Sequence, residues 1–362
     1  MGNHSKSSPG QKMRHARVLA WILAAASAAT AQPSARIVAL GDVHGDFDVF
    51  VTLLRSAGVI DATNKWSGGN TILVQTGDAI DRGTESRKVL ELLTALEKQA
   101  ARANGKVHAL IGNHEAMNVY GDLRYVSPED FTSYKTADSA SYRDRVYEAL
   151  SNPLQKDDRD YRKKWYDEHP LGWAEQRQAF AANGKYGRVV VEHDAIVKVN
   201  DILFLHGGLS AKFAGTPIAT MNRRIRAELK DFRLIDGGIL TDPLGPMWDR
   251  GLAQDEESPE TSGLVASILA TYGVSHIVLG HTPTAGAVVT RFGGKVILID
   301  VGMSKVYNSS PACLIVEDGK FFALHRGVKI PLPESVDPAE YLKRAAELDP
   351  PGTNLRKSLG ML

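Results

Sequence analysis

The segment Ile37-Val38-Ala39-Leu40-Gly41-Asp42-Val43-His44-Gly45-Asp46 decides the fold of this chain, because an apolar run passes directly into a polar turn. A short apolar run that stops at a glycine is typical of a buried strand. Helical spacing follows from Asp46 to Ala57, and Glu85 to Ala103 forms a second amphipathic helix pattern. Further strands are predicted at 71–74 and 107–111. Strand, helix, strand, helix, strand is the order of parallel βαβ units.

The rest of the chain contains a polar insertion followed by a strand-rich half. Residues 120–190 are rich in Tyr, Asp, Arg and Lys, and we expect a helical cap insertion whose aromatic residues serve packing. No long linker or internal repeat divides the remaining sequence. We therefore predict an α/β (α+β) fold with two packed mixed β-sheets flanked by helices. The predicted catalytic domain spans residues 32–330, and residues 331–362 form a C-terminal tail.

Five of the predicted strands end in a short polar motif that contains glycine. In open α/β sheets, ligands bind outside the carboxyl ends of the strands. Three oxygen donors and three imidazoles at these ends suit a pair of divalent metal ions. The motifs are Gly41-Asp42-Val43-His44-Gly45-Asp46, Gly77-Asp78-Ala79-Ile80-Asp81-Arg82-Gly83, Gly112-Asn113-His114-Glu115, His206-Gly207-Gly208 and Gly280-His281-Thr282-Pro283.

Overall composition excludes several classes of protein. The 362 residues carry 43 Lys+Arg against 42 Asp+Glu, a formal net charge of +1. This balance argues against a nucleic-acid-binding surface, so we expect no nucleic-acid partner. Cys313 is the one cysteine, which allows neither an internal disulfide nor a cysteine-based zinc site.

The N-terminal 31 residues have the composition of a secretory signal peptide. They contain four basic residues and no acidic one, and the apolar run Val18 to Ala31 ends in the small-residue pattern Ala29-Thr30-Ala31. From this pattern we expect cleavage before Gln32 and a periplasmic or secreted protein. Because the apolar run is too short to cross a membrane, we expect no membrane span after cleavage. A buried core helix or an uncleaved anchor is the alternative, and Met13 is an alternative start.

The strand-end motifs resemble those of the calcineurin-like metallophosphoesterases, in their phosphoprotein phosphatase branch. Asp81-Arg82-Gly83 and Asn113-His114-Glu115 are similar to that branch, and the chain is most similar to its Shewanella-like and Rhizobiales-like bacterial-type members. The resemblance runs from about Arg36 to Leu324 and implies the metallophosphoesterase sandwich fold. It also implies hydrolysis of phosphomonoesters by direct attack of a metal-bridging hydroxide.

Site roles follow from the resemblance, motif by motif. Two divalent metal ions are implied, with manganese first and iron or zinc as alternatives. His114 would be the general acid, oriented by Asp81, and phosphate would contact Arg82, Arg250, Asn113 and His114. The implied metal ligands are Asp42, His44, Asp78, Asn113, His206 and His281, with Asp78 as the bridge.

The expected substrate is a phosphorylated protein or peptide, with phosphoserine or phosphothreonine and phosphotyrosine left open. Gly280-His281-Thr282-Pro283 is shared with bacterial diadenosine tetraphosphate hydrolases, so a phosphoesterase acting on such nucleotides or on small phosphate esters is the alternative. The sequence does not indicate the oligomeric state or the role of the insertion.

Overall fold

The computed structural model of the protein describes residues 1–4, 35–307, 311–333 and 338–361, and the described chain from Ala35 onward folds around two mixed β-sheets. Nearly all of the predicted signal peptide lies outside the described residues. In the part of the chain that is described, no helix is both long and apolar enough to cross a membrane.

The first sheet contains six strands in the order β11-β10-β9-β1-β2-β3. Strands β1, β2 and β3 run parallel, with Ile37 opposite Ile72 and Ile72 opposite Lys106, as the βαβ pattern predicts. The other three strands continue the sheet in antiparallel pairs. The strands are β1 (Ile37–Leu40), β2 (Ile72–Gln75), β3 (Lys106–Ala109), β9 (Ala312–Glu317), β10 (Lys320–His325) and β11 (Val328–Pro331).

The second sheet contains five strands in the order β4-β5-β6-β8-β7. Strands β5, β6 and β8 are parallel, while β4 and β7 are antiparallel edge strands. The sandwich of two mixed sheets that the sequence predicts is therefore confirmed. The strands are β4 (Ile196–Val199), β5 (Ile202–Leu205), β6 (His276–Leu279), β7 (Val289–Arg291) and β8 (Val296–Leu298).

Helices cover the outer faces and form most of the insertion. Asp46 caps the first helix, since its carboxylate accepts a hydrogen bond from the Val49 amide at 3.3 Å. The helices are α1 (Phe47–Ser56), α2 (Ser86–Arg102), α3 (Asn113–Tyr120), α4 (Pro128–Thr132), α5 (Ser139–Leu150), α6 (Arg159–Glu168), α7 (Trp173–Phe180), α8 (Gly187–Val190), α9 (Ile218–Lys230), α10 (Gly251–Gln254), α11 (Pro259–Tyr272), α12 (Ala339–Glu347) and α13 (Asn354–Ser358), with 3-10 turns at Phe232–Leu234 and Lys305–Tyr307.

Side chains that alternate in direction along the central strands contribute to two hydrophobic cores, one between the sheets and another under the helices. Phe204 of β5 and Val278 of β6 belong to the core that the first sheet shares. Their neighbours Leu205 and Leu279 belong to the core beneath the helices of the second sheet. Successive side chains of a strand point to opposite faces, so strands buried on both sides read as continuous apolar runs.

The structure differs from the sequence prediction in two places. The segment assigned as a C-terminal tail includes α12 and α13, and Tyr341, Ala345 and Leu355 of these helices are buried in the first core. Strand β8 ends at Leu298, three residues before the predicted end of that strand at Val301. This earlier end leaves Asp300 in the loop that follows.

Candidate metal and phosphate site

The loops that follow β1, β2, β3, β5 and β6 meet at one edge of the sandwich, as the strand-end motifs predict. The amide of His281 donates to the Asp42 carboxylate at 3.0 Å, and the His206 ring contacts the carbonyl oxygen of Thr76 at 2.9 Å. Each contact joins a loop of the first sheet to a loop of the second. The site is therefore built on the contact between the two sheets, where parallel strands end.

One half of the candidate metal centre contains Asp42, His44 and Asp78, all buried. Nδ1 of His44 contacts the carbonyl oxygen of Ile80 at 3.1 Å, which leaves Nε2 facing Asp42 Oδ2 at 3.8 Å. A backbone contact to one ring nitrogen fixes which nitrogen is presented to a metal. Ligand atoms of His44 and Asp78 lie within 4.8 Å of each other, a spacing that suits one divalent ion.

The other half contains His206, His281 and Asn113, with Asp78 between the two halves. Nε2 of His206 lies 3.3 Å from Asp78 Oδ1 and 2.9 Å from Asn113 Oδ1. Ligand atoms of Asp78, His206 and His281 all lie within 4.8 Å of one another. Asp78 also belongs to a cluster with His44, so its position between the two groups fits the bridging role that the resemblance implies.

The protonation of these side chains also fits metal binding. Burial lowers the pKa of His44 to about 3 and that of His281 to about 2, so both imidazoles are neutral near pH 7. Burial raises the pKa of Asp78, but the imidazoles of His114 and His206 outweigh it and hold that pKa well below the usual value. Nε2 of His281 is buried and has no hydrogen-bond partner among the described residues. Burial and the neighbouring carboxylates of Asp300 and Asp78 raise the pKa of Asp42, which a bound cation would offset. Neutral imidazoles, the ionised Asp78 and an unpartnered ring nitrogen fit divalent metal ions.

His114 lies beside this centre and is paired with Asp81. Nδ1 of His114 lies 2.8 Å from Asp81 Oδ2, and Nε2 faces Asp78 Oδ2 at 3.7 Å. Burial lowers the pKa of His114, but Asp78 and Asp81 outweigh it and the net shift is upward. Distance alone groups His114 with His44 and Asp78. The pairing with Asp81 favours the proton-donor role that the sequence analysis assigns to it.

The two predicted phosphate-binding arginines lie at opposite ends of the centre. Arg250 donates through Nη1 to the carbonyl oxygen of His281 at 2.7 Å and to Thr282 Oγ1 at 3.2 Å. Arg82 lies on the side of His44 and His114, where its charge lowers the pKa of both imidazoles. Its buried Nε has no hydrogen-bond partner in the described chain. Planar guanidinium groups in these places suit the oxygens of a phosphoryl group.

Several site residues have a left-handed backbone conformation, which residues other than glycine rarely adopt. Five site residues have a positive φ, namely His44, Asp78, Asp81, Arg82 and His281, with values from 47° to 69°. Such strained backbone persists only where the surroundings enforce it. Gly280 is required by space, because a Cβ there would lie 2.7 Å from Asp42 Oδ1.

Two buried carboxyl groups that sequence reasoning left without a role support the ligands. Glu115 accepts hydrogen bonds from the amides of Asp78, Ala79 and Gly112, each at 2.8 Å. Asp300 lies beside Asp42, and burial raises the pKa of Asp300 to about 6. Had the predicted strand ended at Leu298, the same strand-end rule would have selected Asp300.

Two tyrosines form the wall beside Arg82 and His114, and neither was predicted. The Tyr125 ring lies 4.9 Å from the His114 ring and 5.0 Å from the Arg82 guanidinium carbon. The Tyr307 ring lies 5.6 Å from the same guanidinium carbon. The expectation that aromatic residues of the insertion serve packing agrees with the burial of Tyr134 and Trp165, whereas Tyr125 is 40% exposed at the site. No spacing in the sequence distinguishes Tyr125 from its neighbours.

Comparison with known proteins agrees with this geometry. The family model of the calcineurin-like phosphoesterases matches residues 35–285. Shewanella-like protein phosphatase 2 of Arabidopsis thaliana is 30% identical over 75% of this chain and 72% of its own length. Shewanella-like protein phosphatase 1 of Plasmodium berghei is 27% identical over 80% of this chain and 74% of its own length.

A solved structure gives the same result at the level of the fold. The cold-active protein-tyrosine phosphatase of a psychrophilic Shewanella species superposes with a TM-score of 0.64 at 29% identity, over 83% of this chain and 81% of that chain. The strand-end motifs, the paired ligand clusters and these matches agree. The chain therefore belongs to the calcineurin-like phosphoesterase family, in which its relatives include the Shewanella-like protein phosphatases.

Proposed function

We propose that this protein is a metal-dependent phosphoprotein phosphatase. The observation that carries the proposal is the buried row of ligands through Asp78, with an arginine at each end and the His114–Asp81 pair beside it. The names of its relatives and of the superposed structure support phosphorylated protein as the substrate class. The chain is accordingly a hydrolase.

The residues of the chain have separate tasks in this reaction. Bound at Asp42, His44, Asp78, Asn113, His206 and His281, two divalent metal ions would activate a water molecule and neutralise phosphoryl charge. Arg82 and Arg250 would bind the phosphoryl oxygens. As the bond from phosphorus to the leaving oxygen breaks, Nε2 of His114 gives its proton to that oxygen. Asp81 keeps Nδ1 of His114 protonated and thereby fixes the donor atom.

The finer proposal is a preference for phosphotyrosine over phosphoserine and phosphothreonine. The ring of Tyr125 lies against the proton donor, at 4.9 Å from His114. An aromatic leaving group would stack on such a wall, whereas a small aliphatic one would not. The superposed Shewanella enzyme is named a tyrosine phosphatase, which supports the same preference.

Manganese is the proposed metal, with iron or zinc as alternatives. The ligand set mixes carboxylate and amide oxygens with imidazole nitrogens, and such mixed sets accept several first-row divalent ions. We also propose that residues 1–31 direct export to the periplasm or the medium. N-terminal sequencing of the exported protein should begin near Gln32, whereas recovery of the intact chain in the cytosol would contradict export.

The function is tested with phosphopeptides of one sequence that carry phosphoserine, phosphothreonine or phosphotyrosine, assayed with Mn²⁺, Fe²⁺ and Zn²⁺ in turn. We expect the phosphotyrosine peptide to be hydrolysed fastest and diadenosine tetraphosphate slowly. Asp78→Asn should lower every rate at least about 100-fold, since it weakens the bridging ligand. Asp318→Asn, at an exposed hairpin turn, is the matched control.

For each proposal, a different result of this assay would contradict it. Faster turnover of the dinucleotide than of all three peptides would favour the nucleotide alternative. Full activity of Asp78→Asn would reject the site. If Tyr125→Leu leaves the ratio of phosphotyrosine to phosphothreonine turnover unchanged, the aromatic wall does not determine the preference.

A further inference from the structure

A chain of buried side chains connects the helical insertion to the proton donor. Nε2 of Gln176, on α7, donates to Asn118 Oδ1 at 2.5 Å. Nδ2 of Asn118, on α3, donates to both carboxylate oxygens of Asp81 at 2.9 Å, and Asp81 holds Nδ1 of His114 at 2.8 Å. All four side chains are at most 2% exposed. Hydrogen bonds in such a dry environment are strong, and an unmatched member is costly.

The direction of every hydrogen bond in this chain is determined by Asp81. A carboxylate only accepts, so the amide group of Asn118 must turn its NH₂ toward Asp81 and its oxygen away. That oxygen then needs a donor, and the NH₂ group of Gln176 supplies it. Loss of the Gln176 donor would leave the Asn118 oxygen buried without this partner and would remove the reason for its present orientation.

A second connection reaches the backbone of Asp81 from the same insertion. The carboxylate of Asp130, on α4, accepts a hydrogen bond from the Ser86 amide at 3.2 Å. The hydroxyl of Ser86 in turn accepts from the amide of Asp81 at 3.0 Å. Asp81 has a φ of 69°, so its backbone needs such support. The insertion is therefore connected to the side chain of Asp81 through Asn118 and to its main chain through Ser86.

We propose that Gln176 and Asn118 are positioning residues for proton donation by His114, so that the helical insertion controls which leaving groups the enzyme can expel. Neither residue touches the substrate. Asn118 fixes the Asp81 carboxylate, and Gln176 fixes the orientation of Asn118. The proposal rests on the proposed function, because it assigns a role within that reaction.

The consequence is a dependence on the leaving group. The phenol of phenyl phosphate is a weak acid and needs a proton as its oxygen leaves phosphorus. The more acidic p-nitrophenol leaves without that proton. Damage to the positioning of His114 should therefore slow phenyl phosphate far more than p-nitrophenyl phosphate. Damage to the metal centre or to the fold would slow both substrates alike.

The test compares Gln176→Ala and Gln176→Met with Gln178→Ala, which removes an exposed glutamine from the same helix. Gln176→Met keeps the length of the side chain and removes its NH₂ donor without adding a charge, and the Oε1 atom that is also lost has no hydrogen-bond partner among the described residues. For both Gln176 variants, and for Asn118→Ala, we expect kcat/KM for phenyl phosphate to fall about 10- to 100-fold and that for p-nitrophenyl phosphate less than about 3-fold. Gln178→Ala should resemble the unmodified enzyme.

A combination with His114→Ala completes the test. If Gln176 acts through His114, Gln176→Met should change neither rate further in the His114→Ala background. Equal losses on both substrates, or an unchanged ratio in Gln176→Met, would overturn the inference while the phosphatase function stands. An unmodified enzyme that hydrolyses neither these esters nor the phosphopeptides would instead reject the proposed function.

Discussion

Nε2 of His206 lies 2.9 Å from Oδ1 of Asn113, although the two residues follow strands of different sheets. Asn113 begins α3 beyond β3 of the six-stranded sheet, and His206 follows β5 of the five-stranded sheet. Their distance is therefore fixed by the packing of one sheet on the other. Anything that shifts the sheets relative to each other should disturb metal binding before it disturbs either sheet.

Replacement of one ligand should remove one metal ion. His281→Ala deletes a buried nitrogen that lacks a partner among the described residues, and we expect metal content to fall from two ions to about one per chain. Activity should fall at least about 100-fold. Elemental analysis after manganese loading measures the first effect. His276→Ala removes a histidine at the other end of the same strand and should keep both ions; equal metal content in the two variants would count against His281 as a ligand.

The Glu115 carboxylate should be important for stability as well as for activity. It accepts three backbone hydrogen bonds around Asp78 and Gly112, and Gln would present an NH₂ group to at least one of those donors. Glu115→Gln should lower the free energy of unfolding by about 2–3 kcal/mol, together with kcat. Urea unfolding measures the first effect. The exposed Glu129→Gln is the control, and a stable but inactive Glu115→Gln would show that Glu115 acts on the ligands alone.

Asp130 should make stability depend on pH. Burial raises its pKa from 3.8 to about 7, so the folded protein keeps this proton over a range in which the unfolded chain has lost it. The free energy of unfolding therefore falls as pH rises from about 4 to 7 through this group. Asp130→Asn cannot titrate and should not lose stability in this way, and its amide oxygen can still accept the hydrogen bond from the Ser86 amide. In thermal unfolding, the unmodified protein and Asp130→Asn should have similar Tm values at pH 4. At pH 8 the free energy of unfolding of Asp130→Asn should be higher by about 1–4 kcal/mol.

An advantage of Asp130→Asn that is the same at pH 4 and pH 8 would contradict this account. Asp138→Asn, at an exposed position of the same insertion, is the matched control.

The two arginines should require a guanidinium group and not merely a positive charge. Arg250→Lys keeps the charge but loses the planar fork that contacts the His281 carbonyl and Thr282. We expect kcat/KM to fall about 10- to 100-fold and the inhibition constant of inorganic phosphate to rise in Arg250→Lys and in Arg82→Lys. Arg124→Lys, exposed and paired with Asp122, is the matched control. An unchanged inhibition constant would remove that arginine from the phosphate site.

Much of the fold could be predicted from local sequence. The apolar runs before Gly41, Gly77 and Gly112 predict β1, β2 and β3 and their parallel order, because a strand buried on both faces needs consecutive apolar residues. Strand β11 and helices α12 and α13 were not predicted. Their apolar residues are few, and their burial depends on a sheet surface that the sequence does not display.

The sequence by itself determined which side chains stand at the strand ends, and hence Asp42, His44, Asp78, Asn113, His206 and His281. Only the tertiary structure placed Tyr125 and Gln176 near the site, because these residues reach it through the packing of the insertion. A strand-end residue is positioned by the chain next to it, so a local pattern reveals it. A residue delivered by a separate helix depends on how that helix packs, which no local pattern records.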